Sequence, residues 1–175
     1  MSGHNKYSKI KHIKAKTDAQ KSKIFTKMGR MIAVEAKKAN GDLTAPGLRA
    51  AVEKARENNM PNDTIDRAIK RATDTSAVMD AVTYESYGPG GAAIIIEALT
   101  DNRNKAAQEV KAILAKHGCE LAGIGSAAWA FQKTREGWQP QTTIPLNAED
   151  GSKLEALIGD LEDNDEVQEV FTNAE

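Results

Sequence analysis

Basic side chains are concentrated at the start of the chain, in a pattern that suits binding to a phosphate backbone. Residues 1–40 hold 11 lysines and arginines and two acidic residues, whereas residues 77–175 hold seven basic and 17 acidic residues. The total charge of −1 is therefore a cancellation between two oppositely charged regions. Dense like charges repel each other, and an anionic partner relieves that repulsion. The residues predicted to contact nucleic acid are His4, Lys6, Tyr7, Lys9, Lys11, Lys14, Lys16, Lys21, Lys23, Lys27 and Arg30.

The first predicted helix shows how this charge would be presented. Helical spacing places Ile24 and Phe25 on one side of it, and Lys23 and Lys27 on roughly the opposite side. One side is expected to pack and the other to face phosphates, with Tyr7 stacking on a base. The alternative is an ordinary lysine-rich helix face in contact with water, which is common for an isolated stripe. The continuation of the stripe into a basic arm, and the separation of the acidic residues, favour nucleic acid.

Three helices are predicted in residues 1–76, which form a basic arm and a three-helix domain. The first follows Asp18, the second begins near Pro46, and the third follows Pro61, where the missing N–H of proline does no harm. Each helix has one narrow apolar stripe, so the three must pack together to be stable. Gly29, inside the first helix, is predicted to mark a close crossing with another helix.

Residues 77–175 are predicted to form a ferredoxin-like α+β domain. The glycine-rich segment 88–91 is expected to be a hairpin turn rather than a phosphate-binding loop. Leaving aside the first hairpin strand, the order of elements is βαββαβ, the split βαβ pattern. The predicted strands are 82–87, 92–99, 127–132, 141–146 and 167–171, with helices ending at Gly118 and starting after Asn147.

Residues that could support catalysis are sparse. His117 and Cys119 flank a helix-ending glycine, where adjacent positions rarely point at each other, so a thiol–histidine pair is not expected. The three histidines are too scattered to form a metal site. The chain is therefore not expected to be an enzyme, to bind a small-molecule substrate, or to use a cofactor or metal.

A second, weaker anion site is predicted at Arg103 and Lys105. Both lie in the first turn of a predicted helix, where the helix dipole disfavours a cation unless an anion is nearby. That anion could be an external ligand or a carboxylate of the same protein, and the sequence leaves both readings open.

The compartment and assembly state are inferred from composition. The single cysteine excludes an intramolecular disulfide and fits a reducing compartment. No apolar run approaches the ~20 residues that a bilayer requires. The sequence predicts a cytoplasmic monomer with no membrane partner.

Several motifs together point to a known family. They are Gly3-His-Asn-Lys-Tyr-Ser-Lys, Asn59-Met-Pro-Asn-Asp-Thr-Ile-Asp-Arg, Tyr84-Glu-Ser-Tyr-Gly-Pro-Gly-Gly and Leu99-Thr-Asp-Asn-Arg-Asn. This set resembles the YebC/PmpR family of probable transcriptional regulators, whose mitochondrial relative is a translational activator of cytochrome c oxidase subunit one. The match differs from the family at Tyr7, where tryptophan is usual, and at a short connector, residues 134–140, where relatives carry an inserted third domain.

The resemblance implies two alternative functions in gene expression. One is DNA binding with regulation of transcription. The other is a ribosome-associated translation factor that binds ribosomal RNA and relieves stalling at proline-rich stretches. A protein-interaction module, in which the basic end docks on an acidic protein, is a third possibility that composition leaves open.

Overall fold

The computed structural model describes residues 18–175, and the chain divides into two compact units. The helical unit comprises residues 18–81 and 99–101 of the described chain, and the sheet unit comprises residues 82–98 and 102–175. None of the helices in residues 18–175 combines the length and the apolar character needed to cross a membrane.

The helical unit contains the three predicted helices. They are α1 (Asp18–Lys38), α2 (Pro46–Glu57) and α3 (Asn62–Asp74). Their apolar stripes meet in one buried cluster, as narrow single-sided stripes require. The fully enclosed members of that cluster are Ile32, Ala36, Leu48, Ala55 and Ile65.

An acidic residue on the packed side of α1 has a local explanation. The Glu35 carboxylate pairs with Lys38 Nζ at 2.8 Å. Its Oε2 atom also lies against the first turn of α2, where a Cβ built on Gly47 would come within 2.2 Å of it. Because α2 has no side-chain cap of its own, a carboxylate beside its positive end is favourable.

The sheet unit is built on a four-stranded sheet covered by two helices. The chain runs through β1 (Asp80–Tyr87), β2 (Ala93–Thr100), α4 (Arg103–Lys116), β3 (Leu121–Ala122), β4 (Phe131–Thr134), β5 (Gly137–Pro140), α5 (Ala148–Glu162) and β6 (Val167–Thr172). The sheet order is β3-β1-β2-β6, and β4 pairs with β5 in a separate hairpin. Apolar residues of β2, α4, α5 and β6 form its main core. The predicted fold class, helices followed by an α+β domain, is confirmed.

Two strand assignments in this unit differ from the prediction. Residues 128–130 form a short 3-10 turn instead of strand, and residues 141–146 contribute only the isolated bridge between Ile144 and Ala174. The first difference arises because the backbone N–H groups of Ala127 and Ala128 donate to the Glu85 side chain and cannot join a ladder. The predicted extra strand, β1, is an inner strand of the sheet, between β3 and β2.

The predicted end of α4 at Gly118 is confirmed in detail. Gly118 has φ of +71°, its N–H donates to Ala115 O at 3.0 Å, and the Cys119 N–H donates to Leu114 O at 2.8 Å. This pair of bonds is the Schellman motif, and it places Cys119 in the apolar core. Cys119 is thus a packing residue, and burial raises the pKa of its thiol.

The β4–β5 hairpin depends on a glycine. Gly137 has φ of +115°, and an added Cβ would lie 2.6 Å from Cζ of Phe171. Gly137→Ala is therefore expected to destabilise the sheet unit by about 2 kcal/mol, from backbone strain and a ring clash together. Thermal unfolding, monitored by circular dichroism, measures this loss of stability. Gly159→Ala serves as the control, since no atom lies within 4 Å of a Cβ there, and an equal loss in both variants would contradict the explanation.

A lysine and a histidine at the end of α4 hold Asp160 of α5. Lys116 Nζ and His117 Nε2 each lie 2.8 Å from its Oδ2, and the hydrogen bond from Lys116, followed by that from His117, lowers the pKa of Asp160 below the ordinary 3.8. A carboxyl whose pKa is lowered on folding stabilises the fold above the unfolded value and loses that effect as pH falls through the folded value.

The pH dependence of thermal stability tests this contact. Asp160→Asn is expected to lower the melting temperature at neutral pH, and the difference from the unsubstituted protein should shrink as the pH falls below 3.8. Asp165→Asn, at an exposed position after α5, is the control. A difference for Asp160→Asn that stays constant down to low pH would contradict the contact's proposed contribution.

Candidate nucleic-acid interface

A groove with a volume of about 660 Å³ runs between α1 and α3 in the helical unit. Its floor includes the half-buried ring of Phe25 and the buried side chain of Met60. Three cations, Lys21, Arg67 and Arg71, line the same groove and are exposed. An apolar floor edged by cations is suited to a ligand that carries phosphates beside a less polar group.

The cations meet at this groove because of helical spacing. Lys21 and Phe25 are four residues apart on α1, and Arg67 and Arg71 are four residues apart on α3, so each pair shares one side of its helix. Gly29 also lines the groove, and apart from the backbone of its own helix no atom of residues 18–175 lies within 4 Å of a Cβ built on it. The prediction that Gly29 marks a close helix crossing is therefore wrong, and the glycine instead leaves the α1 backbone open to the groove.

The charges of the groove are weakly compensated. Among residues 18–175, the side chains of Lys21 and Arg71 make no hydrogen bond or ion pair. Arg67 Nη2 lies 3.4 Å from Asp63 Oδ2, in a pair whose side chains are 70% and 77% exposed. Such exposed pairs contribute at most about 1 kcal/mol, so a phosphate can replace the carboxylate at little cost. Within residues 18–175, Asp18 is the one acidic residue that lines this groove.

Three of the predicted contact residues on α1 already make interactions within the protein, which the sequence did not indicate. Lys23, Lys27 and Arg30 are half-buried, and each already makes an interaction within the protein. Arg30 Nη1 donates to the backbone oxygen of Leu99 at 2.7 Å. Arg30 therefore contributes to the fold of the helical unit, and the assignment of these residues to phosphate binding stays a prediction.

The remaining predicted contact residues of the arm lie outside the described residues. They are His4, Lys6, Tyr7, Lys9, Lys11, Lys14 and Lys16.

The second predicted anion site is largely occupied by carboxylates. Lys105 Nζ lies 3.2 Å from Glu166 Oε1 and 3.9 Å from Glu109 Oε1. Arg103 is exposed in the first turn of α4, and it too interacts within the protein. For Lys105 the structure thus supports the ion-pair reading. Across residues 18–175, no group of His, Cys, Asp or Glu side chains is arranged to hold a metal ion.

Sequence reasoning missed Arg67 and Arg71. Charge density draws attention to residues 1–40, whereas α3 lies in a segment where six basic and six acidic residues balance. The i, i+4 spacing of the two arginines was the available signal. That spacing indicates a shared binding surface only once α3 is known to pack beside α1.

Comparison with known proteins identifies the family. Residues 5–75 match the model of the TACO1/YebC protein N-terminal domain, and residues 79–136 and 132–174 match that of the TACO1/YebC second and third domain. The chain belongs to the TACO1/YebC family. The family resemblance seen in the motifs is therefore confirmed.

Curated relatives of this TACO1/YebC protein carry regulatory names. A probable transcriptional regulatory protein of Fervidobacterium nodosum is 38% identical, over 99% of this chain and 93% of its own length. One from Caldicellulosiruptor saccharolyticus is 38% identical over 100% of this chain and 99% of its own length, and one from Thermotoga petrophila is 53% identical over 76% of this chain. These names describe the relatives as regulators.

A solved structure has the same fold. The crystal structure of a conserved hypothetical protein from Aquifex aeolicus superposes with a TM-score of 0.85 at 29% identity, covering 95% of each chain.

The chain is a short form of the TACO1/YebC family. Its alignment with the Fervidobacterium relative runs over 235 positions, although the chain has 175 residues, so about 60 positions have no counterpart here. The two segments matched to the second and third domains meet at residues 132–136, within the β4–β5 hairpin. The predicted connector at 134–140 is this hairpin.

Proposed function

We propose that this protein is a nucleic-acid-binding regulator of gene expression that holds a phosphate backbone in the groove between α1 and α3. The cationic rim formed by Lys21, Arg67 and Arg71 over the apolar floor is the observation that carries the proposal. The names of the curated relatives support a regulatory role.

The groove chemistry favours recognition of the backbone over recognition of bases. Guanidinium groups at Arg67 and Arg71 can each donate two parallel hydrogen bonds to a phosphate, and Lys21 adds a point charge. Phe25 and Met60 offer no hydrogen bonds, so they can contact a sugar or a base face without reading its sequence. Affinity is expected to come mainly from charge and to vary little with base sequence.

The arm adds to this interface in the proposal. The five lysines before α1, together with Lys21 and the groove arginines, would bring the number of phosphate contacts to about six or more. The helical unit and arm together contain 17 basic and 10 acidic residues, which supports a polyanionic partner. Cytoplasmic location and a monomeric state remain predictions of the sequence.

The salt dependence of binding tests the proposed function. If about six phosphates of duplex DNA are contacted, the logarithm of affinity should fall against the logarithm of salt concentration with a slope near −5. Fluorescence anisotropy with labelled duplex DNA and with a structured RNA of equal length measures this. Tighter binding of the DNA at physiological salt would indicate a transcriptional role, and tighter binding of the RNA would indicate a translational role. A slope near zero with both ligands would contradict the proposal.

A further inference from the structure

The sheet unit exposes a group of apolar side chains. Trp129 is 61% exposed, Tyr87 is 38% exposed and Ile124 is 101% exposed. Trp129 Nε1 donates to the Tyr87 hydroxyl at 2.9 Å, and that hydroxyl donates to the backbone oxygen of Ser126. Because the polar atoms of both rings bond within the protein, what the rings offer to a partner is apolar surface.

This surface is held in place by Glu85 of β1, a residue only 7% exposed. Its carboxylate accepts hydrogen bonds from the N–H groups of Gly125 at 2.7 Å, Ala127 at 2.7 Å and Ala128 at 2.8 Å. The loop of residues 123–129, here called the Trp129 loop, is thereby fixed before any partner binds. A preorganised apolar surface loses little conformational entropy on association, which favours tight binding.

The charge around the Trp129 loop indicates what kind of partner it fits. Residues 121–132 contain no charged side chain, so they offer no cation to a phosphate. The described part of the sheet unit, residues 82–98 and 102–175, has seven basic and 15 acidic residues, a net charge of −8. Four of its cations are already paired with carboxylates, namely Lys105, Lys116, Lys133 and Lys153. This charge repels nucleic acid and attracts a basic surface.

We propose that Tyr87, Ile124 and Trp129 form a docking surface for a basic protein that carries an apolar pocket. In the complex, Ile124 and Trp129 would enter the partner's pocket and become buried. Tryptophan is among the residues that most often dominate the binding energy of an interface. Basic residues around the partner's pocket face the acidic sheet unit. This interaction is separate from the nucleic-acid groove of the helical unit and does not require it.

Site-specific photo-crosslinking in the native host tests the proposal. A photo-reactive amino acid replaces Ile124 in the full chain, and a matched version carries it at Ala156, an exposed position on α5 in the same unit. The expected result is a crosslink from position 124 to one protein, identified by mass spectrometry, with a lysine- and arginine-rich surface at the crosslinked site. It should be absent from position 156 and lost when Trp129→Ala is added.

The second measurement is the affinity of this protein and its variants for the purified partner. Trp129→Ala and Ile124→Ser are each expected to weaken binding by about 30-fold, and binding should weaken with salt. Ile124→Ser keeps the result interpretable if Trp129→Ala disturbs the loop, because Ile124 is fully exposed. Crosslinks to nucleic acid, to a second copy of this chain or equally from position 156, or no crosslink at all, would overturn the proposal. Nucleic-acid affinity should be unchanged in both variants, so this test fails or succeeds independently of the proposed function.

Discussion

Replacing Lys21, Arg67 and Arg71 together with glutamate is expected to weaken nucleic-acid binding by about 100-fold or more. Each lost phosphate contact forfeits the release of about one counterion, which at ~0.15 M salt is roughly a fivefold change, and three contacts multiply to about 100-fold. The slope of log affinity against log salt should become shallower by about 3. Since all three side chains are exposed, the helical unit should remain folded.

A control with the same change in charge separates the groove from the net charge of the unit. Arg49, Lys54 and Arg56 lie on α2, are exposed, and do not line the groove. Their replacement with glutamate is expected to weaken binding by less than about tenfold, through long-range repulsion alone. Equal losses in the two triple variants would show that charge, and not the groove, determines affinity.

Glu85→Ala is expected to destabilise the sheet unit by about 3 kcal/mol. The substitution leaves the N–H groups of Gly125, Ala127 and Ala128 without their acceptor. Ala127 is buried and Ala128 is half-buried, and an unpaired donor at such positions costs about 1–3 kcal/mol, whereas Gly125 is exposed and water can take its N–H. Thermal unfolding should show a fall in melting temperature of about 10 °C. Glu120→Ala, at an exposed position before β3, should change stability by less than about 0.5 kcal/mol.

The same carboxylate predicts a pH dependence. Burial alone would raise the pKa of Glu85, but the hydrogen bonds from three backbone N–H groups outweigh it and hold the pKa below the ordinary 4.5. The stabilisation is therefore present above pH 4.5 and is lost as pH falls through the lower folded value. Glu85→Gln should remove this part of the acid sensitivity. An unchanged profile of melting temperature against pH would contradict the role given to Glu85.

Elements whose signals are local could be predicted from the sequence. Helix periodicity located α1, α2 and α3, and a capping residue located the start of α5, where Asn147 accepts a hydrogen bond from Asp150 N. The segment 88–91 connects neighbouring strands as predicted, with Gly90 at φ of +70°. These features depend on residues within a few positions of one another.

The features that sequence reasoning missed depend on residues far apart in the chain. The strand predicted at 127–132 starts late because Glu85, over 40 positions earlier, takes its N–H groups. The groove requires α1 and α3 to lie side by side, so Arg67 and Arg71 gain meaning only in the fold. Likewise, Arg30 looked like a surface cation until its contact with Leu99 was seen.

The most direct test of the central claim is nuclear magnetic resonance mapping of the full chain, whose 18.9 kDa size suits the method. Duplex DNA or structured RNA would be titrated while the Met60 methyl, the Phe25 ring and the side-chain signals of Arg67 and Arg71 are followed. The groove proposal predicts that these signals shift together, saturably, and more than those of α2. Saturable binding that leaves them unmoved while other surfaces shift would contradict it.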